Sequence, residues 1–390
     1  MEGMPVPWPH PWQQKFIKRF FYNKDQSRKM KDAFKYFDKI AFAALICLAL
    51  FGIILIYSAS TGMDKAHWAK QLLWLFFSLV AFFVAFRFKT EKIFSYTVPF
   101  YVILVIILAI QILAGEIISG AKSWIKTGFF NIQVSEFIKI PLALYLARVI
   151  TKMSTIQWKD FFKLCILIGI PFLLIAKQPD MGTAFMLISF FITAIFLKGI
   201  RPGIIIVSLV VLLGGSFTAW KYMDKMLEPY QVERITAFLN PGKYKKSTGY
   251  QIIQSKIAIG SGGLTGKGYL KGTQSQYKFL PTRHTDFIAS VLGEEFGFLG
   301  ISFLFLIFFI LFYRQFSVKA ESDEEFYFIY LFNGIILFQF LVNILMSIGF
   351  LPVLGIPLPF VSYGGSSLLA FFVGEGLIFR IKINAYLNEF

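Results

Sequence analysis

The chain has 390 residues, 56% of them hydrophobic and 18% aromatic, with a mean hydropathy of +0.64. Lys and Arg outnumber Asp and Glu by 39 to 22, a formal charge of +17. The apolar residues fall in long blocks split by short polar loops, which excludes a soluble domain and turns the charge excess into a question of membrane sidedness rather than nucleic-acid binding.

Residues 1–37 form a basic leading segment that includes Lys15, Lys18, Arg19, Lys24, Arg28, Lys29, Lys31 and Lys35. It is too polar for a secretory leader. Its Trp8, Trp12, Phe16, Phe20 and Phe21 suit either the headgroup boundary or a disordered tail.

Residues 38–390 read as one all-α transmembrane domain. A hydrocarbon core of ~30 Å takes about 20 apolar helical residues. By that measure the predicted spans are Ile40–Tyr57, His67–Phe86, Ile93–Ala114, Val134–Ile150, Phe161–Ala176, Gly182–Leu197 and Ile204–Trp220. After a long polar loop, 221–285, come Phe287–Phe312, Phe326–Gly349 and Leu368–Ile381, for ten in all. Pro141 and Pro171 are tolerated inside spans because neighbouring helices can re-satisfy the freed carbonyls. Cys47 and Cys165 lie in apolar spans as packing residues and imply no disulfide framework.

Basic residues are retained on the cytoplasmic side, so the leading segment belongs inside and the loops alternate from there. The inner loops then hold Arg87, Lys89 and Lys92, Lys152 and Lys159, Lys198 and Arg201, and Arg314 and Lys319. Both termini are expected in the cytoplasm. The basic loop 221–285 falls outside, at a length where the rule loses force. The unusual polar motifs gather on that same outer side: Gly120–Ile125, Gln133–Glu136, Lys177–Asp180, the long loop, and Leu351–Ser367. A substrate site at or just beneath the outer membrane surface follows.

Ionisable groups in or beside spans are costly and are functional candidates by default. Glu136 and Lys139 are three apart and share a helix face. They form either a structural ion pair or a cationic contact for an anionic substrate. Asp180 opens the sixth span, where capping is the favoured role. In Leu280–Phe287, Thr285 can serve as N-cap and place Asp286 at the first helical position. Capping is again favoured for Asp286 taken alone, but Arg283 and His284 beside it, with Glu294 and Glu295 farther down the same helix, make a dense polar cluster, and a carboxylate there can also act as a general base. Glu294 and Glu295 are expected to pair with basic groups on another span. Gly260–Gly268 fails as a phosphate-binding P-loop, with five intervening residues rather than four and Gly268 where Ser or Thr is required. It reads as a flexible Gly-rich turn after an amphipathic surface helix, Thr248–Ile259. With three His in all, a zinc site is not expected.

These motifs, in order, resemble the SEDS family of bacterial cell-wall proteins (shape, elongation, division and sporulation). The resemblance runs from Phe37 to the C-terminus through Gly120–Ile125, Gln133–Lys139, Gln178–Thr183, Gly268–Gln276, His284–Ile288, Gly293–Gly297 and Gly355–Ser367. Gly272–Gln276 and Ile356–Phe360 look more like the RodA, or elongation, branch than the FtsW, or division, branch. Val134, Ser123 and Thr282 depart from the residues common there, Pro, Arg and Glu respectively.

The resemblance implies a peptidoglycan glycosyltransferase of the bacterial inner membrane that serves elongation and rod shape. Its substrate would be lipid II, polymerised into a nascent glycan strand on the outer leaflet. Its partners would be a class B penicillin-binding transpeptidase and other elongation-complex membrane proteins. Asp286 matches the family's essential aspartate, which favours the general base over the cap. Arg234, Lys267, Lys122 and Lys139, or a divalent cation such as Mg2+ or Mn2+, would offset charge on the departing pyrophosphate, with no organic cofactor. Trp124, Glu136, Gln254, His284 and Ser366 complete the expected substrate contacts. A lipid flippase is the rival reading, and a recruiting scaffold a third. A flippase calls for polar groups along a path to the inner side, whereas the polar clusters stop in the outer half.

Overall fold

The computed structural model describes residues 36–61, 66–114, 116–118, 121–126, 131–221, 229–244 and 248–387. The basic leader up to residue 35 and the side chain of Lys122 lie outside the described residues. The chain runs α1 (Lys39–Ser60), α2 (His67–Arg87), α3 (Thr90–Ser95) and α4 (Thr97–Ala114), then β1 (Glu116–Ile118), β2 (Ala121–Lys126) and β3 (Asn131–Gln133). Next come α5 (Val134–Phe137), α6 (Lys139–Thr151), α7 (Trp158–Ala176), α8 (Met181–Met186), α9 (Ile188–Lys198) and α10 (Pro202–Lys221). The long polar stretch carries α11 (Pro229–Leu239), α12 (Thr248–Ser261) and α13 (Thr273–Gln276), and the chain closes with α14 (Ile288–Phe316), α15 (Asp323–Ser347) and α16 (Gly365–Leu387).

Every predicted apolar block lies on helix, though the third, fourth and sixth are each divided, at Tyr96, Ile138 and Leu187. Among the described residues α1, α2, α8 with α9, α14 and α15 are long and apolar enough to cross a membrane. This is an all-α integral membrane protein. α6 is its central helix, with Ile140, Leu142, Ala143, Leu144, Leu146 and Ala147 all buried, as an all-round apolar helix requires. α10 is the opposite case. Ile206, Val210, Val211 and Leu212 are each more than 60% exposed, a surface that only lipid or a partner can cover. α16 lies close against α2, where a Cβ on Gly376 would come within 2.5 Å of the Phe82 carbonyl. Small residues at such crossings let membrane helices pack backbone to backbone. At the end of the bundle where α1 begins, Asp38 accepts from Arg314 at 2.9 Å and from Lys382, tying α1, α14 and α16 together.

The loops differ from the sequence expectation. The loop holding Gly120–Ile125 contains an antiparallel three-stranded sheet, β1-β2-β3, with Trp124 paired to both Glu116 and Gln133. The Gly-rich turn is no flexible surface loop. α14 breaks at Gly297, whose φ of +62° and ψ of −156° interrupt the helical hydrogen bonds. The chain from Gly262 to Gly268 fills that break. Lys267 and Gly268 donate their N–H groups to the carbonyls of Glu294 and Glu295 at 3.0 Å, while Phe298 and Leu299 donate to Gly263 and Leu264 at 2.9 and 3.0 Å. Broken helices survive in membranes only where other groups take over the freed backbone, as here.

The two glutamates hold the same insertion. Glu294 is fully buried and accepts from Lys267 at 2.8 Å, from the Thr273 hydroxyl at 3.1 Å, and from the N–H groups of Gln274 and Ser275 at 2.9 and 3.2 Å. Glu295 accepts from the Ser58 hydroxyl on α1. The expected cation on another span is thus replaced by a loop lysine for one and by a hydroxyl for the other. α12 is helical and amphipathic as expected, with Gly249, Ile252, Ser255 and Ala258 buried against the bundle and Lys256, Ile257 and Gly260 exposed. Its Ser255 is buried against Ser290 of α14 at 2.6 Å.

Candidate active site

The descent into α14 is a run of turns over Pro281–Phe287, with helix beginning only at Ile288. Thr285 therefore does not cap the helix, and Asp286 lies ahead of its first turn. The reason is local: Thr282 adopts φ +45°, and its carbonyl takes the N–H groups of Thr285 and Asp286 at 3.1 Å. This tightens the chain before helix can start.

Asp286 is held from behind by α15. Asn343, fully buried, donates both hydrogens of its amide, to the Asp286 carbonyl at 2.8 Å and the Ile356 carbonyl at 2.7 Å. One turn earlier Gln339 donates to Pro357 at 2.8 Å. The Asp286 turn and the segment before α16 are thereby fixed to one helix face. Ser362 adds a bond to the Thr285 carbonyl at 2.5 Å, and Gln71 of α2 grips Ser362 and Gly364 at 3.3 and 3.2 Å.

Gly355 lies in front of the carboxylate. A Cβ built there would stand 3.9 Å from both Asp286 Oδ2 and an Arg234 guanidinium nitrogen, so Arg234 of α11 and Asp286 face one another across a single glycine. Its φ of +72° also favours glycine. Burial raises the Asp286 carboxyl from 3.8 to about 6, against the opposing pull of Thr285, Arg234 and Thr282. That value suits a group that must exchange protons near neutral pH. His284 packs against His67 at a tilt of 41° with ring centroids 4.5 Å apart, and Tyr363 stands 5.0 Å from His67. Burial, with His67 and Arg283 nearby, drives His284 down to about 4, so it is neutral at pH 7.

The other expected residues sit around this centre. Asp180 caps α8 through the Thr183 N–H at 3.2 Å and also accepts from Gln133 at 2.6 Å. Ser366 takes the Gln133 N–H at 3.0 Å, fastening β3 to α16. Lys139 is buried rather than turned toward a substrate. Its ammonium lies 2.8 Å from Glu136 and 3.4 Å from Gln339, and 5.1 Å from the centre of the Phe371 ring. Lys267 is engaged by Glu294. Trp124 and Gln254 are half-buried on β2 and α12. Arg234 thus faces Asp286, and His284 precedes it in the same run of turns, while Lys139, Glu136, Lys267 and Ser366 hold the surrounding frame. Asn343, Gln339, Gln71 and His67 were not singled out from the sequence. Their signal is a neutral polar side chain within or at the start of an apolar span.

Fold and site together define a multi-pass membrane protein with a carboxylate of raised affinity for protons, set opposite a guanidinium at one end of its helix bundle. The chain belongs to the FtsW/RodA/SpoVE family, described as cell cycle proteins, whose model matches residues 38–387. It is 36% identical to the peptidoglycan glycosyltransferase MrdB of Escherichia coli (strain K12), over 89% of this chain and 93% of that one. To the peptidoglycan glycosyltransferase RodA of Treponema pallidum (strain Nichols) it is 31% identical, over 89% and 97%. Among solved structures it resembles a chain of a peptidoglycan synthase complex that coordinates polymerization and crosslinking, with TM-score 0.77 and 26% identity over 90% and 98%. RodA of Thermus thermophilus matches with TM-score 0.67 and 25% identity over the same shares.

Proposed function

We infer that the chain is a peptidoglycan glycosyltransferase that polymerises lipid II at the outer leaflet of the bacterial inner membrane, with Asp286 as general base. The observation that carries the assignment of the base is the raised carboxyl of Asp286 facing Arg234 across Gly355. The reaction class rests on the family and on relatives named for this activity.

Asp286 would accept the proton of the acceptor sugar hydroxyl as its oxygen attacks the anomeric carbon of the growing strand. The bond from that carbon to the pyrophosphate breaks, and the leaving group departs with the electron pair. General-base help of this kind contributes about 10²–10⁴-fold. Negative charge grows on the pyrophosphate, where Arg234 is the protein cation best placed to meet it. Among the described residues no group of three or more His, Cys, Asp or Glu could hold a metal ion. A divalent cation such as Mg2+ would be held by one or two carboxylates together with the substrate phosphates, a mode that needs no such group.

The sidedness follows from the basic leader and inner loops, which put both termini in the cytoplasm and Asp286 outside. A class B penicillin-binding transpeptidase is the proposed partner, since the polymerised strand must be cross-linked, and elongation is the proposed setting.

The test is polymerisation of lipid II by the purified chain with its transpeptidase. Asp286→Asn should abolish the product while leaving the melting temperature within a few degrees of wild type. Undiminished polymer from that variant would rule out Asp286 as the base.

A further inference from the structure

α2 connects the site to the opposite end of the bundle. His67 at its start packs against His284, and its last residue, Arg87, is 20 residues farther on. At 1.5 Å per residue that is about 30 Å, the thickness of the hydrocarbon core. At that far end a cavity of about 420 Å³ lies between α2, α3, α4, α6 and α16. Val84, Phe88, Ile93, Phe100, Leu144 and Leu377 are among its lining residues, and apart from Lys92 and Tyr96 the lining is apolar. Val84 and Phe88 are 52% and 55% exposed, so the cavity opens sideways.

We propose that this groove binds an anionic phospholipid of the leaflet opposite to that of Asp286, with one acyl chain in the groove and the phosphate on Lys92. Size is the first argument. At roughly 30 Å³ for a water-sized group, the cavity holds about fourteen such groups, the reach of one acyl chain. The tail of the proposed substrate enters from the leaflet of Asp286, at the other end of α2. Charge is the second. Lys92 of α3 is exposed and forms no salt bridge among the described residues, and Arg87 and Lys89 precede it in sequence. The neighbouring acid, Glu91, lines a separate polar cleft with Arg148 and Glu321. Basic residues between helices at the membrane surface select anionic headgroups over zwitterionic ones.

Native mass spectrometry of the full chain, equilibrated with equal phosphatidylglycerol and phosphatidylethanolamine, tests this. One phosphatidylglycerol should be retained per wild-type chain. Lys92→Glu should lower that retention at least about five-fold, the factor one basic residue represents, and leave phosphatidylethanolamine unchanged. Val84→Trp, at an exposed wall position, should displace the lipid without altering the melting temperature measured in lipid-free detergent. Equal retention of both lipids, or wild-type retention in either variant, overturns the proposal. So does displacement of phosphatidylglycerol by undecaprenyl phosphate, which would give the groove to the substrate tail.

Discussion

Asn343 donates to the backbone carbonyl of Asp286 at 2.8 Å and, through the other hydrogen of the same amide, to Ile356 at 2.7 Å. One side chain thereby sets the distance between the Asp286 turn and the segment that carries Gly355. Asn343→Asp keeps the shape but, ionised, removes both donors. Each carbonyl left unpaired costs about 1–3 kcal/mol. The expected result is a lowered melting temperature and polymerisation reduced roughly 10²-fold, since small displacements at a reacting centre have effects of that size. Wild-type rates in Asn343→Asp would mean that donation does not position the base.

The Asp286 carboxyl, raised to about 6 by burial, has to be ionised to accept a proton. Activity should therefore fall roughly ten-fold per pH unit below about 6. Arg234 holds that carboxyl lower than it would otherwise be. Arg234→Gln removes the charge, so the carboxyl rises further and the acid limb of the pH–rate profile moves to higher pH. Arg234→Lys should leave the limb near its wild-type position. His284, at about 4, is neutral across this range, so His284→Gln should not move the limb whatever it does to the rate. A limb that follows His284 instead would assign the titration to the wrong residue.

The helices were legible because long apolar blocks have few alternatives in a membrane, and the resemblance singled out Asp286. The support behind it was not. Asn343 and Gln339 are uncharged residues in an apolar span, where no charge marks them as costly to bury. Thr285 looked like a cap because its residue type suits one, yet the tight turn at Thr282 delays the helix to Ile288. Glu294 and Glu295 did signal something unusual. Their partners are backbone and side-chain groups of a loop about 20–30 residues earlier and a hydroxyl on α1, contacts that no local pattern encodes.

That loop makes its own prediction. A Cβ on Gly266 would lie 2.1 Å from the Glu295 carbonyl, and one on Gly297 would lie 2.4 Å from the Gly266 nitrogen. Both residues also have positive φ, +79° and +62°. Gly266→Ala and Gly297→Ala should each lose at least ~2 kcal/mol of stability, through steric overlap and backbone strain together. Limited proteolysis should then cut within 262–276. Gly260→Ala meets nothing within 4 Å and is the control. Equal protease resistance in all three variants would show that the insertion into the broken helix is dispensable.

The Glu136–Lys139 pair is buried, and breaking such a pair leaves an uncompensated charge at a cost of about 3–5 kcal/mol. Lys139→Met should therefore destabilise strongly, and the double variant Glu136→Gln with Lys139→Met should recover most of the loss. The exchanged pair, Glu136→Lys with Lys139→Glu, should not recover it. Position 139 faces the Gln339 carbonyl oxygen at 3.4 Å and lies over the Phe371 ring, both of which attract a cation and repel a carboxylate. Gln339 cannot simply turn its amide around, because its nitrogen already donates to Pro357 at 2.8 Å. Thermal melting of the four proteins separates these outcomes. Full recovery by the exchanged pair would show that Glu136 and Lys139 act as an isolated ion pair rather than as the base of the network reaching the Asp286 segment.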